Sequence, residues 1–67
     1  MTWIRFKENK PDYYKSVIIL CKDDSIYTEW YRVSNGDDEY FISLKTDKII
    51  DSKQVTFWKP MPPHVYD

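Results

Sequence analysis

SVIILCK, residues 16–22, carries apolar side chains on both of its alternating sets, Val17, Ile19 and Cys21 against Ile18 and Leu20. A β-branched run with two apolar faces is the pattern of a central strand covered on both sides. Working outward, Asp23, Asp24 and Ser25 punctuate the chain. Residues 26–33 then resume an alternation of Ile26, Thr28, Trp30 and Arg32 against Tyr27, Glu29, Tyr31 and Val33, which pairs back as a hairpin. Asn35-Gly36 follows, the strongest short-range hairpin signal, because a type I′ turn needs positive φ at both central residues. Residues 39–44 alternate Tyr40, Ile42 and Leu44 against Phe41 and Ser43 and complete a three-strand meander.

The flanks add two more strands. Residues 2–6 set Trp3 and Arg5 against Ile4 and Phe6, before a polar stretch containing Pro11; residues 54–58 form a last strand, and the terminal strands are expected to pair. Residues 45–53 carry Ile49 and Ile50 among polar residues, and periodicity leaves a short strand and a turn of helix equally open. Residues 58–67, with Pro60, Pro62 and Pro63, read as an extended Pro-rich C-terminal tail. No window of helical length keeps a helical period. The expected fold is mainly β: one domain over residues 1–67, a single antiparallel sheet of about five strands, strongly curved or closed into an SH3-like barrel that hides its edges.

Composition excludes several classes. Lys plus Arg is 10 and Asp plus Glu is 11, a net charge of -1, which supplies no basic stripe for duplex DNA and no dense acidity for mimicking it. The single cysteine, Cys21, excludes an internal disulfide and a multi-thiolate metal site. Hydrophobic residues at 42% and aromatics at 18% predict a folded chain. The N-terminus has no apolar leader segment and no run approaches a membrane span, so a cytosolic location is expected. Absent Ala, scarce Gly and abundant Lys, Ile, Tyr and Asp fit an AT-rich genome.

No catalytic constellation stands out. His64, the one histidine, lies in the Pro-rich tail with nothing to orient it. Cys21 reads as a small buried hydrophobe. Asp23, Asp24, Asp37, Asp38 and Glu39 fit turn chemistry and match no calcium-loop spacing. No enzyme activity, cofactor or metal is expected. Trp3 and Trp58 read as core. Tyr27, Trp30, Tyr31 and Arg32, with Tyr40 on the adjacent strand, are expected to form an exposed aromatic face that binds a partner protein, since tyrosine, tryptophan and arginine concentrate binding energy at interfaces. Aromatics on an open sheet also suit single-stranded nucleic acid, but the lysines are dispersed among acids, so this is the alternative reading.

Trp3-Ile4 at the start, Pro11, the aliphatic strand Val17 to Leu20, and Val55-Thr56-Phe57-Trp58-Lys59-Pro60-Met61-Pro62 at the end resemble the small phage and prophage family catalogued as domain of unknown function 551. The resemblance covers nearly the whole chain, with the closing motif carrying most of it. Phe57 stands where the family usually has His, and Met61 where it usually has Leu. The resemblance implies a small accessory protein of a phage or prophage, working in the host cytoplasm by stoichiometric binding to a host protein, as an inhibitor or modulator of a host enzyme or defence system.

Overall fold

The computed structural model describes residues 2–62. Six strands, β1 (Ile4–Arg5), β2 (Ser16–Cys21), β3 (Ile26–Asn35), β4 (Asp38–Ile42), β5 (Ile49–Asp51) and β6 (Val55–Pro60), form one antiparallel sheet in the order β1-β6-β2-β3-β4-β5. One 3₁₀ turn, Ser52–Gln54, precedes β6, with the Asp51 carboxylate accepting from the Lys53 amide. The undecided residues 45–53 are therefore both things in succession, a short strand and a helical turn. The terminal strands pair, Ile4 opposite Trp58 and Arg5 opposite Phe57.

The sheet is open rather than closed, with β1 and β5 as its edges. It is nevertheless curled. Strands spaced about 4.8 Å apart would hold β1 and β4 roughly 19 Å apart in a flat sheet, yet Phe6, just after β1, meets Phe41 of β4 edge-to-face at a ring separation of 5.7 Å. The concave side encloses the core: Phe6, Val17, Ile19, Cys21, Trp30, Phe41 and Val55, with Tyr27, Ile50 and Trp58 packed against it. Burial of the Cys21 thiol pushes its pKa up, Asp23 adding to the shift.

Three departures from the sequence reading have identifiable causes. First, β2 is buried on one set only, Val17, Ile19 and Cys21, whereas Ser16, Ile18 and Leu20 are half-buried, because nothing among the described residues covers the convex side as a second layer. Secondly, Val17 pairs with Trp30 but Ile19 pairs with Tyr27, so Thr28 and Glu29 together oppose Ile18. This is a β-bulge, with Glu29 at φ 61°. The extra residue reverses the alternation and puts Tyr27 on the same side as Trp30, their rings 5.0 Å apart. Thirdly, β3 and β4 remain paired as far as Asn35 and Asp38, so the two-residue loop is Gly36-Asp37, one residue later than the Asn35-Gly36 signal suggested. Gly36 alone of the two has positive φ, 66°, as a II′ turn requires.

β6 extends past the expected Trp58 to Pro60, which lies opposite Val17. The Met61 amide donates to the Ser16 carbonyl, so by alternation the Pro60 nitrogen points away from β2 and its missing N–H costs no ladder bond. A second bulge places Thr56 outside the register between Leu20 and Cys21, and its hydroxyl donates to the Leu20 carbonyl at 3.0 Å. The remainder of the expected Pro-rich tail, residues 63–67, lies outside the described residues, as does His64.

Candidate protein-binding face

Residues directly opposite one another in an antiparallel ladder share a face of the sheet, so the register separates the expected binding residues. Trp30 opposes Val17, and Arg32 opposes Phe41, which places both on the concave side. Trp30 is 5% exposed and belongs to the core. Tyr27 packs on it. Tyr31 opposes Ser16 and Ile42, and Tyr40 opposes Val33, which places these two on the convex side. The expected set thus divides between two faces, Tyr27, Trp30 and Arg32 on the concave side and Tyr31 and Tyr40 on the convex side.

Arg32 is held by the segment that joins β1 to β2. Its Nη1 donates to the Pro11 carbonyl at 2.9 Å, and its Nη2 donates to Glu39 Oε1 at 2.7 Å and to the Tyr13 hydroxyl at 3.2 Å. The guanidinium also lies 4.2 Å from the centre of the Tyr13 ring, and the Tyr13 hydroxyl donates in turn to Glu39. The Tyr13 bond, with the Arg32 charge behind it, holds the Glu39 carboxyl below its usual range against the opposing effect of burial. The Glu39 acceptor and desolvation raise the Tyr13 phenol. A charged side chain that is 11% exposed is tolerable only with such partners. Arg32 is therefore a clasp between the β1–β2 segment, β3 and β4, and its charge is spent inside the domain.

The convex face offers one surface for a partner, and a wider, more polar cleft of about 1420 Å³ opens where Phe6, Tyr13, Glu39 and Val55 meet. Tyr31, Val33, Tyr40 and Ile42 line a shallow groove of about 430 Å³ with Tyr14 and Leu44. Tyr14 and Leu44 are 71% and 67% exposed. Tyr14 is fixed beside β3 by its amide, which donates to the Arg32 carbonyl; this is a left-handed position with φ 63°. The half-buried Ile18, Leu20 and Phe57 share this side with the exposed Ile26, which opposes Leu20. At its β1–β6 end the Arg5 guanidinium lies 5.9 Å from the Phe57 ring and the Lys59 ammonium 4.5 Å from the Trp3 ring. Contiguous apolar surface of this kind, rimmed by charge, marks interaction sites on small soluble domains.

Tyr14, Val33, Ile42 and Leu44 were not singled out from the sequence. The available signal was the doubly apolar reading of residues 16–22: a single-layer sheet whose central strand is apolar on both sides must present one apolar side outward. Among the described residues no group of His, Cys, Asp and Glu is placed to hold a metal, and no helix is long and apolar enough to cross a membrane. No protein-family model matches the chain, and searches of curated proteins and of solved structures return no match.

Proposed function

We propose that this chain is a small phage- or prophage-encoded accessory protein that acts in the host cytoplasm by stoichiometric binding to a host protein, as an inhibitor or modulator, rather than by catalysis. The observation that carries the reading is the convex groove in which Tyr14, Tyr31, Tyr40, Val33, Ile42 and Leu44 meet outside the core. Tyrosine offers large, rigid contact area at low entropic cost together with a polar handle, the chemistry of interface anchors. The phage attribution rests on the resemblance of the opening Trp-Ile and the closing Val-Thr-Phe-Trp-Lys-Pro-Met-Pro to domain of unknown function 551. The same reading takes the curled sheet as SH3-like in its curvature though open between β1 and β5, supported by the Phe6–Phe41 contact and by the 3₁₀ turn before the last strand.

A second reading, single-stranded nucleic-acid binding, is favoured by one observation. The Trp3 and Phe57 rings on the convex side each have a cation against them, Lys59 and Arg5, and bases stack on such platforms. Affinity capture of the tagged protein from nuclease-treated host lysate separates the two. One host protein recovered in equimolar amount supports the first. Material lost on nuclease treatment, with a steep salt dependence, supports the second.

A further inference from the structure

Residues 11–14 are tied to the sheet around a single residue, Arg32. Pro11 is buried, and its carbonyl accepts from Arg32 Nη1. The Tyr13 hydroxyl accepts from Arg32 Nη2 and donates to Glu39. The Tyr14 amide donates to the Arg32 backbone carbonyl at 3.1 Å. The Arg32 side chain, on the concave side, therefore holds Pro11 and Tyr13, while its backbone holds Tyr14.

Tyr14 depends on that hold. β2 starts at Ser16, opposite Tyr31, so beyond Tyr31 no β2 residue stands beside β3, and Tyr14 takes that place. It does so at φ 63°, a left-handed conformation that a residue with a Cβ keeps only where its surroundings impose it. The Tyr14 ring leans on the Tyr13 ring, tilted by 49° at a separation of 6.5 Å, and is otherwise turned to solvent over the groove it shares with Tyr31, Tyr40 and Leu44. The Asp12–Lys15 ion pair in the same segment is open to solvent on both sides and adds little. Once the clasp opens, relief of backbone strain favours departure of Tyr14 from this position.

We propose that Tyr13, Arg32 and Glu39, none of which lines the convex groove, are positioning residues for it: their clasp on the far side of the sheet keeps Tyr14 in place, and the groove has its Tyr14 wall only while the clasp is closed. The consequence for binding rests on the host-protein reading above; the placement of Tyr14 does not.

Amide hydrogen exchange followed by NMR tests the placement on the parent, Tyr13→Phe, Glu39→Gln and Val55→Ala. Tyr13→Phe keeps a ring against the guanidinium and removes the hydroxyl that joins Arg32 to Glu39. Glu39→Gln removes the charge that Arg32 meets. Either variant should speed exchange of the Tyr14 amide by roughly 2-fold to 10-fold. Val55→Ala opens a cavity in the core away from the clasp and lowers the stability of the whole domain. It should speed the amide of the fully buried Ile19 and leave Tyr14, which exchanges through local opening of the clasp, at the parent rate. Host-lysate capture with Tyr13→Phe and Tyr14→Ser tests the consequence: a partner held by the parent should be held at least about 2-fold less by both. Tyr14 exchange that the clasp variants leave unchanged, or that Val55→Ala moves as much as they do, overturns the proposal. So does a partner held equally by the parent, Tyr13→Phe and Tyr14→Ser. A parent that captures no partner would sink the host-protein reading instead, and the exchange rates would still decide what places Tyr14.

Discussion

Trp30→Ala separates fold from interface. Trp30 was expected on the binding face, yet it is 5% exposed, lies among Val17, Ile19 and Phe41 in the core, and meets the Tyr27 ring in a tilted contact at 5.0 Å. Truncating a buried Trp to Ala removes its transfer free energy and leaves a cavity, about 3–5 kcal/mol in total. A 67-residue chain at roughly 0.05–0.15 kcal/mol per residue has about 3–10 kcal/mol to lose. The variant should therefore be unfolded, or melt tens of degrees lower, given about 4–8 °C per kcal/mol for domains of this size. Tyr31→Ala, on the convex face, should cost under about 1 kcal/mol, as surface substitutions usually do. Urea titrations followed by far-UV circular dichroism, with thermal melts, give both values. A Trp30→Ala protein within about 1 kcal/mol of the parent, with an unchanged denaturant slope, would refute the placement of Trp30 in the core and return it to the partner surface.

Two further outcomes follow from the clasp and the hairpin. Glu39 titrates below its usual range, so the stability it contributes is present above the ordinary carboxylate pKa and is lost as pH falls through its lowered value. The urea midpoint should drop between about pH 5 and pH 3, and Glu39→Gln should flatten that drop by up to about 1 kcal/mol; equal slopes for parent and variant would show that Glu39 is not the responsible group. Tyr13 titrates above its usual range, so its share is lost only as pH rises past the ordinary phenol pKa. Gly36 at φ 66° has open space around its absent Cβ, so Gly36→Val should cost about 1–3 kcal/mol through backbone strain alone. An unchanged melting temperature would mean that the turn lies elsewhere.

The strand content was legible because alternation and turn residues agree over most of the chain. What escaped was what single residues do to register and burial. The Glu29 bulge leaves the composition of residues 26–35 intact but reverses the phase of Tyr27, and a non-glycine residue with positive φ has no sequence signature. Asn35-Gly36 pointed to the right hairpin but one residue early, because Ser34 with Glu39 and Asn35 with Asp38 continue the ladder. Arg32 looked like an interface arginine; its partners, Pro11, Tyr13 and Glu39, are 21, 19 and 7 residues away, and local pattern does not reveal such distant satisfaction. Of the expected binding face, Tyr31 and Tyr40 sit together outside the core, since both lie on stretches where the alternation is unbroken.

The convex tyrosine groove is tested most directly by repeating the host-lysate capture with Tyr31→Ser/Tyr40→Ser, after circular dichroism and melting show it folded like the parent. The account predicts that a host protein retained in equimolar amount by the parent is lost from this folded variant. Equal retention by both proteins would contradict it and move the binding surface away from this face.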